Sequence, residues 1–316
     1  MKKTELAIVG LGGVGGYFGF KLARKYAAAP AVQITFVARG ETYRAVQQNG
    51  LTLLSPEHPE AVAHPHALIR DVGAWQNADM ILVCVKAYDL EDVCGQLKKS
   101  VREDVIILPL MNGVDIHEKM GKYLPDAIIL PACVYVASHL KEKGVVEHKG
   151  NPGKIIVGKD PRHPDYHPGP VVGLLTDAGI DANYQEDAFP AIWTKYCFIA
   201  SFGLVTARYN KSIGQVCQEP LLRERAGRIM AEIKAVAGYK GITLPEDIIE
   251  QTFRKAASFP YHTPTSLQLD VQAGKANTEL ELFAGPVLAY GQIPGTAMEE
   301  TSNIYREIKL VMPRTQ

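Results

Sequence analysis

The chain has 316 residues, enough for about two domains at roughly 150 residues each. Hydrophobic residues make up 47% and charged residues 22%, which excludes a disordered chain. The 34 basic and 34 acidic side chains cancel, and the sequence pI is about 7.1, so nothing electrostatic points to a nucleic-acid or anionic-membrane partner.

Met1-Lys2-Lys3 is followed by Glu5 and a short apolar stretch that runs into glycines, which is not the pattern of a signal peptide. Residues 6–9 predict a compact strand, 14–26 a helix and 33–37 a second strand ending at Ala38-Arg39-Gly40. Residues 81–85 and 105–110 are further buried strands, with a helical stretch over 90–98 between them. Continuous apolar strands alternating with helices predict a parallel sheet covered on both faces. Segments 127–140 and 144–158 are strand-like and are expected to extend that sheet in an antiparallel manner. From Asp187 onward only helical patterns follow, at 188–208, 221–239, 245–257, 278–291 and 297–311. The composition shift over 184–189 divides the chain into a Rossmann-like α/β domain, 1–186, and an all-α domain, 187–316. Residues 188–205 are the most apolar run, yet they carry Pro190, Lys195 and Gly203 and read as the centre of a soluble core, not a membrane span. The five cysteines form no C-x-x-C pair and read as reduced thiols of a cytoplasmic protein. His58, His64 and His66 lie in a Pro-rich stretch and read as a solvated loop; no metal is expected.

Gly10-Leu11-Gly12-Gly13-Val14-Gly15 matches G-x-G-x-x-G between a strand and a helix, the context in which that pattern holds a dinucleotide. Gly10 permits the tight turn, Gly12 the approach of backbone to a pyrophosphate, and Gly15 close packing of helix on strand. The end of the second strand chooses the cofactor. NAD sites place a carboxylate there for the ribose 2′-hydroxyl, whereas NADP sites use a cation for the 2′-phosphate. Arg39 occupies that point and favours NADP, with Glu41 as the rival.

Lys195 is the only formally charged side chain between residues 188 and 205, and desolvation there would tune an ammonium for proton transfer. The rival reading is a lysine that snorkels to the helix surface. Thr278 with Glu281 fits a capping box, which leaves Glu279 unexplained by local structure. Lys86 and Asn112 close two sheet strands, where ligands bind in open α/β folds, although Asn112-Gly113 also reads as a plain turn and Lys86 as a surface cation.

Together with Trp193-Thr194-Lys195, the segment Ser266 to Asp270, and Thr278-Glu279, these residues resemble the ketopantoate reductase family (2-dehydropantoate 2-reductases) over nearly the whole chain. The resemblance implies that Lys195 is the general acid and that Glu279 helps position it and the substrate hydroxyl. It also implies that Asn112 and Ser266 contact substrate, with Lys86 at the nicotinamide side of a cleft between the domains. The cofactor set is then Gly10, Gly12, Gly13, Val14, Gly15, Arg39, Lys86 and Asn112. Two departures stand out. Family members usually carry Asn one and two turns after the lysine, where this chain has Ile199 and Gly203, and the step from Asp270 to Glu279 is one residue longer. The expected activity is NADPH-dependent reduction of 2-dehydropantoate to pantoate. A different 2-oxoacid, an opine-type or other hydroxyacid dehydrogenase, and a non-catalytic NADP(H) sensor of the same fold are the alternatives. The oligomeric state is left open, a homodimer included.

Overall fold

The computed structural model describes residues 3–75, 78–290 and 297–312. The chain divides into two compact units, one ending at Ala188 and the other beginning at Phe189.

The first unit runs β1 (Thr4–Val9), α1 (Gly13–Tyr26), β2 (Val32–Val37), α2 (Gly40–Asn49), β3 (Leu51–Leu54), β4 (Ala61–Ala63), β5 (Ala67–Ile69) and β6 (Met80–Val83). It continues with α3 (Leu90–Ser100), β7 (Ile106–Pro109), α4 (Ile116–Tyr123), β8 (Ile128–Ile129), β9 (Ala132–Tyr135), β10 (Ser138–Glu142), β11 (Val145–His148), β12 (Lys154–Gly158), α5 (Gly169–Asp177) and β13 (Asp181–Gln185). Six strands pair in parallel in the order β5-β2-β1-β6-β7-β8, the doubly wound arrangement with its switch point between β1 and β6. Leu6, Ile8, Ile34, Phe36, Leu82 and Leu108 are fully buried, which is why these strands read as unbroken apolar runs.

The expected antiparallel extension of this sheet is not what forms. Only β8 joins it, and in parallel. The hairpin β10–β11 instead joins β3 and β4 in a separate four-stranded sheet, and β9, β12 and β13 form a third. The reason is the outer face of α1. Val146 of β11 is fully buried, and a Cβ on Gly16 would lie 2.3 Å from its Cγ2, so the small sheet closes directly over this helix. The His-rich stretch also contains short structure. β4 lies in it, β5 follows it directly, and His66 Nδ1 accepts from the Ile34 N–H at 3.0 Å. Among the described residues no cluster of His, Cys, Asp or Glu could hold a metal ion.

The second unit is helical: α6 (Phe189–Tyr209), α7 (Ile213–Gln218), α8 (Pro220–Tyr239), α9 (Ile248–Ala257), α10 (Ser266–Gln272), α11 (Leu280–Ala289) and α12 (Glu299–Val311). The expected end of one helix at Gly291 lies outside the described residues. α6 packs against all six of the others, which accounts for its apolar surroundings. Trp193, Tyr196 and Phe202 are buried along it, and the Tyr196 hydroxyl donates to the Phe283 carbonyl at 2.7 Å. Among the described residues no helix is long and apolar enough to cross a membrane.

Candidate active site

The glycine turn follows β1 and opens α1. Gly10 has φ +91°, a conformation in which L side chains are strained. A Cβ on Gly15 would stand 1.9 Å from the Gly10 carbonyl oxygen and 2.8 Å from Cys84 Cβ, so helix and strands meet there without room for a methyl. Gly12 is different. A Cβ on it would meet no atom within 4 Å, and the residue lines an open cavity of about 610 Å³. That cavity lies at the carboxyl ends of β1, β2, β5 and β6, walled by Gly10, Leu11, Ala38, Arg39, Thr42, Arg70, Val85 and Gln96 among others. A backbone cradle that a Cβ would fill, set at the switch point of a doubly wound sheet, suits the pyrophosphate and adenosine of a dinucleotide.

Arg39 is exposed on this cavity, and its guanidinium reaches Asp89 at 3.1 Å and Asp92 at 3.3 Å. Glu41, the rival for the ribose, faces Lys143 at 3.9 Å and is not part of the cavity wall. Gly13, Val14 and Gly15 form the first turn of α1 behind the cavity. Lys86 is exposed and caps a short 3-10 turn after β6, while Asn112 is half-buried just past β7, next to Gly113 at φ +114°. Neither belongs to the cavity wall. Arg70 and Thr42, which line the cavity, and Asp89 and Asp92, which engage Arg39, were not singled out by the sequence. The acidic pair sits in the first turn of α3 and the turn before it, where carboxylates are ordinary helix-start residues.

In the helical unit, Lys195, Ser266 and Glu279 lie on or beside three helices that pack together, α6 with α10 and α11. Lys195 is half-buried, not sequestered as the sequence suggested, although its helix neighbours Trp193 and Tyr196 are 1% exposed. Ser266 is the exposed first residue of α10, whose start is fixed by a reciprocal cap between Thr265 and Gln268. Glu279 is 5% exposed and stands at the N-cap of α11. The expected capping box of Thr278 with Glu281 does not form. The helix starts one residue later than the box requires, so the Thr278 hydroxyl accepts from the Leu280 N–H at 3.3 Å, and Glu281 accepts from the Tyr305 hydroxyl instead.

The two family departures also have a local setting. Ile199 is half-buried, and a Cβ on buried Gly203 would lie 3.1 Å from the Phe283 ring, so this turn of α6 accommodates an aromatic neighbour where an asparagine side chain would stand. The cysteines form no disulfide; burial raises the Cys84 thiol pKa well above its usual range and the Cys197 thiol to about 12, which leaves both poor nucleophiles at neutral pH.

Comparison with known proteins bears on the whole chain. The family model described as "Ketopantoate reductase PanE/ApbA" matches residues 6–162, and its C-terminal counterpart matches 187–312. The uncharacterized oxidoreductase YkpB of Bacillus subtilis is 24% identical over 97% of this chain and 98% of its own length. The 2-dehydropantoate 2-reductase of Nostoc sp. is 24% identical over 100% of this chain and 98% of its own. A crystal structure of a PanE/ApbA family ketopantoate reductase from Ralstonia eutropha superposes with a TM-score of 0.86 at 23% identity, covering 98% of both chains. A matching doubly wound sheet, a matching helical domain and two family models spanning both units leave one assignment: the chain belongs to the ketopantoate reductase family, oxidoreductases that use a nicotinamide cofactor.

Proposed function

We propose that the chain catalyses NADPH-dependent reduction of a 2-oxoacid, 2-dehydropantoate to pantoate. The observation that carries this reading is the cavity in which the open face of Gly12 and the guanidinium of Arg39 meet, within a chain of this family. Gly10, Gly12 and the first turn of α1, with Gly13, Val14 and Gly15, hold the pyrophosphate, and Arg39 takes the 2′-phosphate that distinguishes NADPH. The bound nicotinamide supplies hydride. The protein supplies placement and charge. The ammonium of Lys195 donates to the substrate carbonyl oxygen, stabilises the negative charge that develops there and delivers the proton. Glu279 orients that ammonium and the substrate hydroxyl, while Asn112 and Ser266 hold the substrate and Lys86 attends the nicotinamide side.

A second reading, reduction of a different 2-oxoacid, is favoured by Ile199 and by Phe283 against Gly203, which leave those two positions of α6 without a side chain to hydrogen-bond a distal hydroxyl. Both are tested by following NADPH oxidation with 2-dehydropantoate and with 2-oxoacids that lack its hydroxyl, using the parent and Lys195→Met. Turnover of 2-dehydropantoate above the others, lost about 10²–10⁴-fold in Lys195→Met with cofactor binding retained, is the expected result. Preference for the hydroxyl-free acids would transfer the assignment to the second reading. Cofactor binding without turnover of any acid would make the protein a sensor.

A further inference from the structure

We propose that Arg70 is a second cation of the cofactor cavity and acts with Arg39 to discriminate a nucleotide carrying a 2′-phosphate from one with a free 2′-hydroxyl. This rests on the NADPH reading above. Arg70 immediately follows β5, and Arg39 stands two residues past the end of β2. These strands are parallel neighbours with Val37 opposite Ile69, and the Ala38 N–H donates to the Ile69 carbonyl at 3.1 Å. The topology thus brings both arginines to one carboxyl edge of the sheet, and both line the cavity that holds Gly10 and Gly12.

Their surroundings differ in charge. The Arg39 fork is engaged by Asp89 and Asp92, so one cation faces two carboxylates and the trio is negative as a whole. A phosphate monoester, close to a dianion at neutral pH, gains little from such a group alone. Arg70 has no carboxylate partner among the described residues. Its guanidinium lies over the Tyr43 ring, 4.4 Å from the centroid, a contact that orients the fork without neutralising it. Arg70 therefore restores the balance of the cavity rim and presents a planar, bidentate donor set to the phosphate. Arg39, held by its two carboxylates, serves as the pre-oriented wall against which the phosphate is placed. The acidic pair would make the rim hostile to a 2′-phosphate if Arg70 were absent.

The test uses two probes that differ by that phosphate, 2′,5′-ADP and 5′-AMP, titrated calorimetrically into the full-length protein, Arg70→Gln and Arg70→Lys. Arg70 is exposed, so both variants keep the fold. The parent should bind 2′,5′-ADP more tightly than 5′-AMP. Arg70→Gln should weaken 2′,5′-ADP by about 10- to 100-fold, the range of a hydrogen bond to a charged group, with 5′-AMP changed by less than about twofold. Arg70→Lys keeps the charge without the fork and should fall between. If the parent prefers 2′,5′-ADP and Arg70→Gln keeps that preference, the role of Arg70 is refuted and the NADPH reading stands. If both probes weaken equally, Arg70 supports the adenosine and not the phosphate, and the proposal fails. If the parent shows no preference, the NADPH reading fails and takes this inference with it.

Discussion

At the scale of the residue, the glycine turn separates two duties that a sequence motif prints as one. Gly15 is closed in by the Gly10 carbonyl and Cys84, whereas Gly12 faces open cavity with φ −75° and ψ −161°, backbone angles that alanine also adopts. Gly15→Ala must therefore move backbone, at a cost of about 1–3 kcal/mol or more, and should lower the unfolding midpoint in urea. Gly12→Ala should leave stability within about 1 kcal/mol, since it adds a methyl to empty space at an N-cap. Its nucleotide affinity, by contrast, should fall roughly 10- to 100-fold, an overpacking cost of 1–3 kcal/mol read in binding. Paired urea melts and NADPH titrations check both; equal loss of stability in the two variants would mean that Gly12 is as confined as Gly15. The contrast between a closed Gly15 and an open Gly12 was legible because the turn is local, complete within six residues. Gly13 and Gly16 were not legible in the same way. Their Cβ atoms would strike the Ser138 carbonyl and Val146, more than a hundred residues away, and no local pattern encodes a hairpin that returns over a helix. Arg70 was missed for the same reason, since its placement beside Arg39 depends on β5 pairing with β2.

At the scale of the element, β8 raises the question of what holds a two-residue strand at the edge of a sheet. Asp160, fully buried, supplies part of the answer. Its carboxylate accepts from the Ile129 N–H of β8 and from His117 on α4, both at 2.9 Å, and from the His163 ring at 2.9 Å and the Arg162 N–H at 3.0 Å. Burial alone would raise its pKa. The hydrogen bonds from His117, His163 and the two backbone N–H groups outweigh that and hold the carboxyl well below the usual carboxylate range. A carboxyl whose folded-state pKa is depressed contributes stability above its unfolded pKa, near 3.9, and loses it as pH falls from there through the folded value. The unfolding free energy should therefore drop below about pH 4. Asp160→Asn should lose about 3–5 kcal/mol at pH 7, because it strips the charge from a buried cluster that is built around it, and should flatten the acid limb. Urea unfolding from pH 3 to 7 measures both, and parallel profiles for parent and variant would dismiss this account. The long elements at this scale were legible from apolar runs and helical periodicity, with α6 and α8 found to within a residue or so at each end. The three-sheet division was not. β11 pairs with β3 through Val145 and Thr52, and strands of two to five residues carry too little alternation to declare which sheet they enter.

At the scale of the whole molecule, the cavity assigned to the cofactor is walled by residues from Val9 to Leu140, all in the unit that ends at Ala188. A ligand that binds only the folded form adds RT ln(1 + [L]/Kd) to stability, about 2.7 kcal/mol at a hundredfold excess over Kd. The walls assign that gain to the first unit, and the chain's two tryptophans can report where it falls, because Trp75 lies in the first unit and Trp193 in the second. Trp193→Phe leaves Trp75 as sole reporter. That change is tolerable despite the full burial of the ring, since the indole N–H it removes is buried without a hydrogen-bond acceptor among the described residues. Trp75→Phe, at a half-buried position, leaves Trp193 to report on α6 and the helical core around it. Urea unfolding followed by fluorescence, with and without saturating NADPH, should move the Trp75 transition to higher urea and move the Trp193 transition less. A Trp75 transition that NADPH leaves in place would contradict the assigned cavity outright. An equal shift of both would mean that the cofactor's binding energy is shared with the helical unit, which carries Lys195 and Glu279, and that the walls of the cavity account for only part of the grip.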